Sequence, residues 1–226
     1  MRQFGKRPGL TDKDDMRRLP VYLVLDVSGS MHGEPIEAVR NGMQTLVSTL
    51  RTDPYALETA FLSVITFDGE ARQIVPLTEL MAFQMPDIAA GSTTSLGAAL
   101  KLTGECIERE VQKTTASAKG DWKPLVFLMT DGQPTDDWRS GLNEFRKAKT
   151  GMVIACSAGN GGDTTILKQI TEIVVSLATA DSSSIGAFFK WVSASISTSS
   201  KKIDLSKSDS RDVNELPPPP AQITLV

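Results

Sequence analysis

Histidine is almost missing from this chain, with one in 226 residues, and cysteine is nearly as scarce, with two. Those are the usual zinc ligands, and so few of them argue against a zinc site. One thiol falls on an expected helix and the other inside an apolar strand, which makes no disulfide framework. An excess of positive charge is also lacking. Lys and Arg number 24 against 27 Asp and Glu, a net charge of −3, which disfavours a nucleic-acid binder with a basic face. No apolar run approaches the roughly 20 residues that span a bilayer. The positively charged start, MRQFGKRPGLTDKDDMRRLP, has no apolar stretch behind it of the kind a secretory signal needs. The expectation is a cytoplasmic, reduced protein, and the length suits one α/β domain with a full core.

Apolar β-rich runs are what the chain does have. They lie at 21–27, 61–67, 125–129, 152–156 and 173–177. Most are continuous rather than alternating, the pattern of strands buried on both faces of a parallel sheet. A weaker run at 71–75, reached through Asp68-Gly69-Glu70, reads as an antiparallel edge strand. Between the runs, Ile36, Val39, Met43, Leu46, Val47 and Leu50 recur on one helical face. Leu96, Leu100, Thr103, Ile107 and Val111 mark a second helix, Trp138, Leu142 and Phe145 a third, and Ile185, Phe188, Phe189, Val192 and Ile196 a long last one. A short helix is expected near 164–170. Strands alternating with helices predict an α/β fold: an open, doubly wound, mainly parallel β-sheet with helices on both faces and one antiparallel edge strand.

The two ends differ in composition. Residues 1–18 read as a flexible lead-in, 19–200 as the domain, and 201–226 as a proline-rich tail with four consecutive prolines, Pro217 to Pro220. Such a run favours polyproline II and cannot continue a helix. The expectation for it is a solvated segment, so that deleting residues 204–226 leaves the fold intact; the alternative is a docked tail in which Ile223 to Val226 add an edge strand.

The chemistry gathers at strand ends. The first strand runs into Asp26-Val27-Ser28-Gly29-Ser30, a carboxylate and two hydroxyls at alternate positions on a loop, where Gly29 lets the backbone bend. These are oxygen donors only, a set that suits Mg²⁺, Mn²⁺ or Ca²⁺. Asp and Ser are equally common as caps at such turns. Two further segments favour a shared site: Thr130-Asp131-Gly132 follows the apolar run at 125–129, and Gly91-Ser92-Thr93-Thr94-Ser95 opens a helix. Open α/β sheets bind ligands outside the carboxyl ends of the strands, where the winding order reverses. If the strands at 21–27 and 125–129 are neighbours there, Asp26, Ser28, Ser30, Asp131 and either Thr93 or Thr94 face one crevice.

DVSGS, GSTTSLGAAL and MTDGQPTD together resemble the metal-ion-dependent adhesion site of von Willebrand factor type A domains, with its Asp-x-Ser-x-Ser, distant Thr and distant Asp-Gly. The resemblance covers roughly residues 19–200, and it implies a Rossmann-like sheet and a non-enzymatic interaction module. It implies that Ser28, Ser30 and Thr94 ligate the cation directly while Asp26 and Asp131 act mainly through water. Thr94 is preferred over Thr93 because Thr94 to Leu100 fits the family's Thr-x-x-x-x-Ala-Leu spacing. The run RRLPVYLVLDVSGSM…GEPIEAV further resembles the TerY proteins of tellurium-resistance operons. That resemblance implies work in a cytoplasmic stress-response system, with TerD-type calcium-binding proteins and associated kinase or phosphatase proteins as partners. A metal-assisted phosphohydrolase and direct oxyanion binding at the open metal position are the alternatives. The first would be expected to show Asp-x-Asp where this chain has Asp26-Val27-Ser28. His32 invites a Ser-His-Asp reading, but Val27-Ser28-Gly29 lacks the leading glycine of a nucleophile elbow, and a rim position is expected instead. The glycine-rich stretch 159–163 has no following Lys-Ser/Thr and is not a P-loop.

Overall fold

A computed structural model describes residues 17–159, 163–205 and 216–226, with the side chains of 202–205 outside that description. Among the described residues the order of elements is β1 (Leu19–Asp26), a 3-10 turn (Gly29–Met31), α1 (Glu34–Arg51), α2 (Pro54–Thr59), β2 (Ala60–Phe67), β3 (Ala71–Glu79) and α3 (Leu96–Glu110). It continues with β4 (Leu125–Thr130), α4 (Trp138–Phe145), β5 (Met152–Ala158), α5 (Thr164–Ile170), β6 (Ile173–Leu177), α6 (Ser182–Leu205) and β7 (Ile223–Leu225). The strands form one sheet in the order β3-β2-β1-β4-β5-β6-β7. Its inner pairings are parallel and both of its edges are antiparallel.

The continuous apolar runs are explained by burial on two sides. Every residue of β1 is buried, and its alternating side chains enter two separate cores. Leu19, Val21, Leu23 and Leu25 pack with Met43, Leu46 and Leu50 of α1 and with Phe188, Phe189, Val192 and Ile196 of α6. Tyr22 and Val24 pack on the other face with Leu96 and Leu100 of α3, Leu142 and Phe145 of α4, and Leu167 of α5. Winding proceeds from β1 through β2 to β3 in one direction and from β4 through β6 in the other. The reversal therefore lies between β1 and β4, which pair in parallel from Val21↔Leu125 to Leu25↔Met129.

The ends depart from expectation. Residues 1–16 of the lead-in lie outside the described residues, but Arg17 and Arg18 are fastened down. The Arg17 guanidinium donates to the Gly120 carbonyl at 2.7 Å and lies over the Trp122 ring. Arg18 donates to the buried carboxylate of Asp121 at 2.8 Å through Nε and again through Nη2. At the other end, α6 runs on to Leu205, beyond the expected boundary at 200. Residues 206–215 are outside the described set.

The solvated tail expected for 201–226 does not describe residues 216–226, which strap across the molecule. Leu216 packs against the first core and Ile223 is part of it. The Trp191 indole Nε1 donates to the Pro217 carbonyl at 2.8 Å. β7 pairs antiparallel with β6, Leu177 opposite Ile223 and Val175 opposite Leu225. The physical reason is an open sheet edge, whose unpaired backbone groups recruit another strand, beside an indole that needs an acceptor when buried. The prolines, having no N–H to give a ladder, run alongside α6 instead. A groove of about 490 Å³ separates Pro217, Pro218 and Pro220 from Gly186, Lys190 and Trp191 of α6.

Candidate metal centre

β1 and β4 end side by side, so their registers decide what meets. With Leu25 opposite Met129, Asp26 stands beside Thr130, and the Thr130 hydroxyl donates to Asp26 Oδ2 at 2.5 Å. The other oxygen, Oδ1, accepts from the Ser28 amide at 2.8 Å, which bends the chain back over the carboxylate. Ser28 Oγ then lies 3.1 Å from Ser30 Oγ, and Ser30 Oγ donates to Asp131 Oδ1 at 2.6 Å. Thr94 closes the ring from the loop between β3 and α3, the second of the three. Its Oγ1 lies 3.2 Å, and Ser30 Oγ 3.8 Å, from where a Cβ on Gly132 would stand. Thr93 is exposed and turned elsewhere, its Oγ1 lying 3.3 Å from the Cβ position of Gly69. The structure thus brings together Asp26, Ser28, Ser30, Thr94 and Asp131.

Gly29 serves this loop differently from expectation. Its φ is not positive. What it provides is close approach: its amide donates to the Ser92 carbonyl at 2.7 Å, and a Cβ there would stand 3.0 Å from that oxygen. The pairing of Gly91 N with the Val27 carbonyl at 2.5 Å completes the seam between the first and second loops.

Electrostatically the site is unfinished. Asp26 is fully buried, Ser28 is 1 % exposed, and Thr94 and Asp131 are both buried. Burial pushes the Asp26 carboxyl above its ordinary range, against the pull of Ser28 and Thr130, and the Asp131 charge pushes it the same way. Burial likewise raises Asp131, opposed by the Ser30 hydroxyl. Among the described residues neither carboxylate has a Lys, Arg or His partner within ion-pair distance. Two buried acids facing one crevice with no compensating charge fit a cation, since buried charges are paired or metal-bound. Among the described residues no three His, Cys, Asp or Glu side chains form a metal-holding group, so a shell here would draw on hydroxyl, backbone carbonyl or water oxygens beside the two carboxylates. Thr130, which sequence reasoning passed over, orients Asp26. The signal for it was the β1/β4 pairing itself, which sets Thr130 beside Asp26 as soon as the strands are taken as neighbours. His32 is exposed at the rim, and Trp122 and Trp138 belong to the cores.

The family model of the von Willebrand factor type A domain matches residues 21–190. The chain belongs to that family. Von Willebrand factor type A (VWA) domains are in general interaction and adhesion modules, often metal-dependent and mostly non-enzymatic. An uncharacterized protein of Synechocystis sp. is 33% identical over 127 residues, which are 53% of this chain and 27% of that protein. The chain thus matches only about a quarter of that relative's length. Among solved structures, a VWA protein from Catenulispora acidiphila superposes with a TM-score of 0.60 at 18% identity, over 80% of this chain and 43% of the other. Proximal thread matrix protein 1 from the mussel byssus, with a zinc-occupied adhesion-site motif, superposes with a TM-score of 0.57 at 19% identity, over 80% and 48%. These likenesses show the shared VWA fold. Among the described residues no helix is long and apolar enough to cross a membrane.

Proposed function

We propose that this VWA domain is a divalent-cation-dependent protein-binding module whose partner completes the metal shell with an acidic group. The observation that carries this reading is the convergence of two buried, uncompensated carboxylates and three hydroxyls at the β1/β4 reversal. Ser28, Ser30 and Thr94 would supply neutral oxygens to the cation, with Asp26 and Asp131 providing charge through water. A cation so held stays electrophilic, because hydroxyls donate little charge, and its chemistry is to accept one more anionic oxygen from outside. The all-oxygen donor set favours Mg²⁺, Mn²⁺ or Ca²⁺ over the zinc of the mussel protein. The resemblance of the segment from Arg17 onward to TerY proteins supports a place in a cytoplasmic tellurium-resistance and stress-response system. TerD-type calcium-binding proteins and associated kinase or phosphatase proteins are the proposed partners.

The test is thermal. A ligand that binds only the folded state raises the melting temperature by mass action. Chelator-treated protein should melt several degrees higher in millimolar Mg²⁺, Mn²⁺ or Ca²⁺, and Asp131→Ala should abolish the response. A wild-type melting curve unmoved by all three ions would refute the cation reading. Capture of TerD-type proteins that survives chelator would refute the metal-bridged mode.

A further inference from the structure

We infer that Asp136 and Thr135 are positioning residues for the metal centre, which lock Thr94 to the loop bearing Asp131 so that two of the three ligand loops present their oxygens as one body. The inference rests on the cation reading above. Thr94 has both of its backbone polar groups held by one residue across the crevice. Its carbonyl accepts from Thr135 N at 2.8 Å and from Thr135 Oγ1 at 3.1 Å, and its amide donates to Thr135 Oγ1 at 3.2 Å. A residue clamped in this way cannot rotate its peptide planes, so the direction of its Cα–Cβ bond is held by the β4–α4 loop as well as by its own.

Asp136 extends the clamp into α3. The first turn of a helix carries amides that need acceptors. Ser95, at the N-cap of α3, makes no side-chain cap bond; its hydroxyl is turned toward the Gly69 carbonyl, to which it donates at 3.0 Å. The acceptor comes from 39 residues away: Asp136 Oδ1 takes Gly97 N at 3.0 Å, and Oδ2 takes Ala98 N at 2.9 Å. A carboxylate at this position also meets the positive end of the helix dipole. Behind it α3 and α4 touch backbone to backbone. A Cβ on Gly141 would stand 2.0 Å from the Gly97 carbonyl oxygen, and one on Gly97 would stand 2.6 Å from the Asp137 carbonyl oxygen. At this crossing no side chain separates the helices and there is little to repack, so the segments 94–98 and 131–141 move together or not at all.

Groups that orient metal ligands commonly cost about 10- to 100-fold in metal affinity when removed. Mn²⁺ serves as the probe, with affinity read by calorimetry and hydration of the bound ion by water-proton relaxation. Asp136→Ala should weaken Mn²⁺ at least about tenfold and raise the relaxivity of what is bound, because a misplaced Thr94 oxygen is replaced by water. Asp136→Asn keeps one acceptor and should recover part of the affinity. Thr135→Val should weaken Mn²⁺ in the same direction. Asp137→Ala is the control. Asp137 caps the adjacent helix α4 through Ser140 N at 3.2 Å, so its loss lowers the metal-free melting temperature by a similar mechanism and should leave Mn²⁺ affinity within about twofold of wild type, caps contributing stability alone. Unchanged affinity and relaxivity in Asp136→Ala, or equal weakening in Asp137→Ala, overturns the positioning role. If Asp131→Ala abolishes Mn²⁺ binding while Asp136→Ala binds normally, only this inference falls. If wild-type protein binds no Mn²⁺, the cation reading falls with it.

Discussion

Tyr22 sits in the middle of the second core with its hydroxyl donating to Glu110 at 3.0 Å. Burial first, and the neighbouring Glu110 charge second, raise its ionisation well above the ordinary value of 10.0. A phenol raised in the folded state gives stability that is intact below the unfolded value and is lost as pH climbs past it. Stability should therefore fall above about pH 10, and Tyr22→Phe should flatten that fall while losing the bond to Glu110. Denaturant melts of both proteins between pH 8 and 11 check this, and parallel curves would refute it. Asp26 gives a second expectation of this kind. An isolated buried carboxylate is expensive, and an amide of the same shape still accepts from the Ser28 amide. Asp26→Asn should match or exceed the wild-type melting temperature in chelator, yet show no rise with Mg²⁺, the exchange of stability for function common at binding sites. A lower melting temperature in chelator, or a surviving Mg²⁺ response, would contradict it.

Elements were legible in proportion to how much of their pattern came from their own burial. β1, β2, β4, β5 and β6 stand out because both faces are covered, leaving runs that are apolar and mostly continuous. β3 is half-exposed along its length and extends to Glu79, where only 71–75 read as strand. α2 has six residues, too few for periodicity, and its only sign is Asp53 capping Tyr55 and Ala56 ahead of Pro54. β7 entered the sequence reading only as the alternative to a solvated tail, because three residues acquire the strand state only from the edge of β6. The consequence reverses the sequence expectation for the tail. Removing residues 216–226 should expose β6 and Trp191 and lower the melting temperature clearly. Ile223→Ala alone should cost about 2 kcal/mol, the low end for a buried Ile. A truncated protein as stable as the full chain would show that the strap contributes nothing.

At the scale of the whole molecule, the site exists because of where the sheet reverses. Asp26 and Asp131 are legible individually as acids ending apolar strands, since that needs only local sequence. Thr130, which bonds Asp26, and Thr135 and Asp136, which hold Thr94 and the start of α3, were not, because each contact joins segments 38 to 104 residues apart. Chain topology supplies those distances, and no window of sequence contains them.

One property of β1 reaches further. It has a parallel neighbour on each side, all eight of its residues are buried, and Asp26 is its last residue. Backbone amides in such a strand exchange with solvent deuterium only when the molecule opens globally. Their exchange rate therefore reads the free energy of the entire fold, and any ion held at the end of the strand enters that rate directly. A cation at about 100 times its dissociation constant should slow exchange in residues 19–26 on the order of 100-fold, whereas a loop that is merely quietened slows by itself. The innermost strand would then serve as a built-in gauge of an event at the surface, legible in protons that never touch the ion.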